Sequence, residues 1–120
     1  MKEDHAKRLA LLRDLLAMTN PLNEVVGQLS AMGGDFEGRG VELTKAHIAS
    51  ALQRYLNGEL SEGEIESWAN AVEGRDGIHS EETSEGVIEE VLHELANPLL
   101  TYPLTYSRAR QLVDNLASTR

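Results

Sequence analysis

Apolar residues in this chain recur three and four positions apart, and each run stops at a helix cap or breaker. That spacing paints one apolar stripe on each helix, so the chain must fold by burying stripe against stripe. Leu9, Leu12 and Leu16, joined by Leu11 and Leu15, predict a helix over residues 3–18. Asn20-Pro21 then reads as an N-cap followed by a first-turn proline, opening the stripe Leu22, Val25, Val26, Leu29 and Met32. Gly33-Gly34 is expected to close it, because glycine accepts the left-handed conformation of a C-cap. Thr44 caps a third helix carrying Ile48, Leu52, Tyr55 and Leu56, which Asn57-Gly58 breaks. Ser61 and Glu64 have the spacing of a capping box, ahead of Ile65, Trp68, Ala69 and Val72. Val87, Ile88, Val91, Leu92 and Leu95 mark a fifth helix over residues 84–96, with Glu85, Glu89, Glu90 and Glu94 lying mostly off that face and Asn97-Pro98 ending it. Thr105 caps the last helix, where Ala109, Leu112, Val113 and Leu116 pack. The fold expected is all-α, a compact five- or six-helix orthogonal bundle.

The connectors support that reading. Residues 33–40, Gly-Gly-Asp-Phe-Glu-Gly-Arg-Gly, lack the Gly-Lys-Ser/Thr ending and the preceding strand of a phosphate-binding loop, so they read as an inter-helix connector. Residues 74–82 read as a polar turn, and 98–104, with Pro98 and Pro103, as extended chain. Aromatics make up only 4% of the chain, so Leu, Val, Ile and Ala must build the core, a composition that suits helices better than sheets. The 120 residues suit one domain, with a helical pair and Gly-rich connector over 1–43 and a helical core over 44–117.

The chain has no cysteine, which excludes disulfide scaffolds, thiolate zinc sites and cysteine nucleophiles. Met1 to Arg8 is charged and carries no apolar stretch of a secretory signal, and no apolar run approaches the ~20 residues needed to span a bilayer. A soluble cytoplasmic protein is the expectation. The formal charge is −9, but residues 59–94 alone hold twelve acids against the single base Arg75. A net −11 in 36 residues repels nucleic acid and anionic membrane and attracts basic partners. The helical hairpin at 45–73 has the outline of a DNA-binding helix-turn-helix. Its second helix, however, carries Glu62, Glu64, Glu66 and Glu73 and no Lys or Arg, which excludes phosphate binding.

Glu90-x-x-His93 has the spacing of one half of a di-iron carboxylate site. The second such pair is missing, since Asp76-x-x-His79 falls in a turn, so no metal is expected. His47, His79 or His93 beside a carboxylate could serve acid-base chemistry, but no catalytic motif or cofactor fingerprint is present. The expectation is a non-enzyme without cofactor or catalytic residue. Trp68 shares the stripe of Ile65 and Val72 and reads as core rather than as an interface anchor. Tyr102 and Tyr106 flank Pro103 and either line a partner groove or lie over the bundle edge.

Three stretches carry a resemblance: Tyr55-Leu56-Asn57-Gly58-Glu59-Leu60-Ser61, Trp68-Ala69-Asn70-Ala71-Val72-Glu73-Gly74-Arg75-Asp76, and Glu94-Leu95-Ala96-Asn97-Pro98-Leu99-Leu100. Over residues 44–117 the chain resembles a family of small uncharacterised bacterial proteins. More distantly, the order of a short helix, a Gly-Glu-Leu-Ser turn and an acidic helix resembles colicin-type immunity proteins. That resemblance implies a non-enzymatic inhibitor. Together with the charge asymmetry it points to an immunity or antitoxin-like protein that covers the basic active site of a nuclease-type partner, with Glu62, Glu66, Glu85, Glu89 and Glu90 as the docking carboxylates. The alternative is a structural or regulatory subunit that forms a homodimer through apolar helix faces.

Overall fold

Capping chemistry sets the middle of the fold in a computed structural model that describes residues 2–32, 38 and 40–118. Helix α3 (Lys45–Leu56) opens on Thr44, whose hydroxyl accepts from the His47 N–H at 3.3 Å, while the Thr44 N–H donates to His47 Nδ1 at 3.0 Å. Helix α4 (Glu62–Val72) opens on Ser61 and Glu64 in the same reciprocal way, at 3.1 and 3.0 Å. Each box satisfies two backbone donors that a helix start leaves unpaired. Ser61→Ala should therefore cost about 1 kcal/mol in chemical denaturation; an unchanged midpoint would show that water replaces the cap without loss.

Four further helices complete the bundle. They are α1 (Lys2–Ala17), α2 (Leu22–Met32), α5 (Glu85–Ala96), which a short 3-10 turn at Glu82–Ser84 precedes, and α6 (Tyr106–Ser118). Thr105 caps α6, its hydroxyl accepting from the Arg108 N–H at 3.1 Å. Helix α1 ends on Met18, which takes the left-handed conformation (φ 53°) usually left to glycine. Its carbonyl accepts from the Arg54 guanidinium at 3.3 Å, which ties that turn to α3. The expected Gly33-Gly34 cap and most of the connector at 33–40 lie outside the described residues.

The helices pack chiefly as pairs, α1 with α2, α3 with α6 and α4 with α5. One apolar core runs through all six, from Leu12, Leu15 and Val25 through Ile48, Leu52 and Ile65 to Ile88 and Leu116. Trp68 lies at its centre with no exposed surface, as its stripe predicts. The ring also donates from its indole N–H to the Leu15 carbonyl of α1 at 2.8 Å. Among the described residues no helix is long and apolar enough to cross a membrane.

The fold is the expected all-α bundle, with six α-helices among the described residues, but it contains one feature absent from that expectation. Strands β1 (Val41–Leu43) and β2 (Ile78–Ser80) pair in parallel, Val41 opposite Ile78 and Leu43 opposite Ser80. The turn expected over 74–82 thus contains a strand. Val41 and Leu43 are buried beside α1, which anchors the ladder to the core. The Val41 N–H donates to the Gly77 carbonyl at 2.8 Å, bringing the two backbones so close that a Cβ on Gly40 would collide with that carbonyl oxygen. Gly40 also has φ 76°, so only glycine suits the position on either count.

Candidate functional site

The acidic segment folds into α4, β2 and α5, and its carboxylates divide into groups with different surroundings. On α4, burying Ile65, Trp68, Ala69 and Val72 turns the row Glu62, Glu66 and Asn70 outward. Asn70 fixes that row against the end of α5, its side-chain amide donating to the Ala96 carbonyl at 3.2 Å. Glu64 is engaged in the cap, whereas Glu62 and Glu66 form no salt bridge among the described residues.

Opposite this row lies the connector between α5 and α6. Thr101 secures its first turn, its hydroxyl donating to the carbonyls of Glu94 at 3.0 Å and Asn97 at 2.8 Å. Arg108 of α6 grips Glu94 of α5 with two hydrogen bonds, Nε to Oε2 at 2.7 Å and Nη2 to Oε1 at 2.6 Å. The bond to Glu94 raises the Arg108 pKa above its ordinary value. The guanidinium also stands 4.6 Å from the centre of the Tyr102 ring, a cation–π contact. Glu94 therefore corrects the sequence reading. It is only 8% exposed rather than on the open side of α5, because a cation from another helix meets it in bidentate geometry.

Between α4 and the connector opens a cleft of about 320 Å³. Glu62 and Glu66 stand on one side, Leu95, Pro98 and Leu104 line it, and Tyr102 borders it. Just outside, Leu99 is wholly exposed and Leu100 is 80% exposed. Tyr106 is half exposed and stacks at a tilt on Tyr55, ring centres 5.4 Å apart. Burial first, then the fields of Glu62 and Tyr106, raises the Tyr55 pKa above its ordinary value.

Of the five carboxylates expected to dock a partner, all are exposed, but only Glu62 and Glu66 line the cleft. Glu90 is near enough to add to the field on Arg108, while Glu85 and Glu89 stand away from the cleft. Of the two tyrosines read as lining a partner groove or lying over the bundle edge, Tyr102 borders the cleft and Tyr106 does not; sequence reasoning missed the leucines beside it and the α4 wall. The available signal was Leu99-Leu100 between two prolines and outside every helical stripe.

The histidines are dispersed. His93 Nδ1 lies 3.1 Å from both Glu73 Oε2 and Asn97 Nδ2 on an exposed face. His79 is on β2, and His47 belongs to the α3 cap. Among the described residues no three His, Asp or Glu side chains converge as a metal site would require.

Burial lowers the His47 pKa, against the opposing fields of Glu42 and Glu81. The neutral ring is also the form that accepts from the Thr44 N–H. Its contribution is therefore full above the unfolded value near 6.5 and is lost as pH falls through the lowered folded value. Denaturation midpoints should fall between pH 7.5 and pH 5. His47→Gln, which keeps a capping acceptor at the third position, should flatten the fall. Equal slopes for both proteins would remove His47 as the cause.

Compared with known proteins, the chain matches no protein family, no characterised relative and no solved structure.

Proposed function

We propose that this protein is a non-enzymatic binding protein that docks a basic protein partner, in the manner of an immunity or antitoxin-like inhibitor of a nuclease-type enzyme. The observation that supports this reading is the exposure of Glu62, Glu66, Glu85, Glu89 and Glu90 on two helices packed against each other, none of them paired with a basic side chain among the described residues. Carboxylates preset on a capped scaffold meet a phosphate-binding surface with little ordering cost, and their summed field accelerates encounter.

Capture from a lysate of the native host tests it. The wild type should retain a basic protein, release it as salt rises, and inhibit its nuclease activity. Association should slow by about tenfold or more as ionic strength rises, because the Debye length shrinks from ~30 Å at 0.01 M to ~8 Å at 0.15 M. The double variant Glu89→Lys/Glu90→Lys should stay folded, since both residues are exposed, and should capture less. Identical capture by both proteins would reduce the acidic face to a solubilising surface.

A further inference from the structure

We infer that the cleft between α4 and the α5–α6 connector takes a basic amphipathic segment of a partner protein. An apolar side chain seats over Leu95, Pro98 and Leu104, lysine or arginine meets Glu62 and Glu66, and further apolar side chains cover Leu99 and Leu100. This rests on the proposed docking of a basic partner and names the part of that partner that is recognised.

Three observations carry the inference together. First, the exposure of the leucines is built in. Thr101 clamps the turn that presents them, the Leu100 and Thr101 N–H groups both donate to the Asn97 carbonyl at 3.0 Å, and Leu104 is buried just beyond. A turn held this firmly cannot fold its leucines inward, so they meet water unless a partner covers them. Second, the cleft beside them has a volume at the low end of ligand pockets, yet the apolar surface extends past its mouth. A small ligand would fill the cleft and leave Leu99 and Leu100 wet, whereas a polypeptide covers both. Third, the charge is one-sided. Glu94 is neutralised by Arg108 and Glu64 serves the cap, so the uncompensated carboxylates at the cleft are Glu62 and Glu66, one helical turn apart. Charge complementarity therefore requires cations spaced along the same edge of the occupant as its apolar row, the pattern of a helix lying in a groove.

The test uses fluorescence anisotropy at physiological salt with a labelled synthetic helical peptide carrying leucines along one face and lysines elsewhere. The wild-type protein should bind it. The same peptide with leucine replaced by serine, or with lysine replaced by glutamate, should bind about tenfold more weakly or worse. Glu62→Lys/Glu66→Lys should weaken binding by a similar factor, Leu99→Ser/Leu100→Ser should weaken it too, and Glu24→Lys/Glu82→Lys, at exposed positions outside both the cleft and the docking carboxylates, should stay within about twofold, because screening confines the effect to nearby charges. All these substitutions are at exposed positions, and unchanged helical circular dichroism would confirm intact folds. Absence of peptide binding overturns the inference, as does undiminished binding of the serine peptide or equal loss from both charge-reversed pairs. Displacement of the peptide by spermine without any dependence on Leu99 and Leu100 would make the occupant a small amine. A wild-type dimer that Leu99→Ser/Leu100→Ser dissociates would make it a second copy of the chain. Peptide binding without a captured nuclease would uphold the cleft and sink the inhibitor reading; the reverse would sink the cleft alone.

Discussion

Replacing Trp68 with alanine is expected to destabilise the fold by about 3–5 kcal/mol, read as a lower denaturation midpoint at unchanged slope. The ring is fully buried, so its removal leaves a cavity that rigid neighbouring helices close only in part. A second loss adds to the first. Leu15 lies in the last turn of α1, where carbonyls have no partner inside the helix, and its oxygen accepts from the Trp68 indole at 2.8 Å. Trp68→Phe separates the two contributions. It keeps most of the apolar volume and strands the carbonyl, at a cost of about 1–3 kcal/mol. With a typical domain stable by only 5–15 kcal/mol, the alanine variant stands near the edge of folding at ambient temperature. A loss below about 1 kcal/mol would mean that the ring is not a core element.

Trp68 was legible in the sequence because its signal is local. Ile65, Trp68 and Val72 fall on one stripe, and Ser61 with Glu64 announces where that stripe begins. Thr44 and Thr105 work in the same way, their caps depending on groups three residues away. The strands gave no such signal. Each has three residues, too few for an alternation, and Val41 finds Ile78 only after two intervening helices bring them together. Glu94 failed for a related reason. It sits beside Leu95 on the inner side of α5, and a glutamate there reads as solvent-facing until Arg108, fourteen residues on and in another helix, is seen to reach it. The cleft inherits this difficulty, since α4, the end of α5 and the connector each contribute one part. Of the acidic face, charge and exposure were legible, but the separation of Glu62 and Glu66 from Glu85 and Glu89 was not, because it depends on how α4 crosses the end of α5.

Arg108→Ala should cost about 3 kcal/mol, and more than Glu94→Ala, although the two changes break the same pair. The asymmetry follows from burial. The Glu94 side chain is 10% exposed and would be left as an unpaired charge, whereas the Arg108 side chain is 26% exposed and can swing into water. Thermal or chemical denaturation of the single variants checks the order, and a larger loss from Glu94→Ala would reverse the account of which partner is trapped. The double variant Glu94→Met/Arg108→Met should return to within about 1 kcal/mol of wild type, because apolar side chains of similar length replace both charges at once. Arg108 also decides between two accounts of the cleft. By charge alone, removing the cation that neutralises Glu94 in the cleft wall should strengthen the hold on a lysine-rich peptide. If Arg108 instead positions the connector, by holding Glu94 and by standing 4.6 Å from the Tyr102 ring, its loss loosens the apolar side of the groove. Peptide binding by Glu94→Met/Arg108→Met, whose net charge equals that of the wild type, isolates the positioning role. Weaker binding by this variant at near-normal stability is the expected result, and unchanged affinity would show that the groove keeps its shape without the pair.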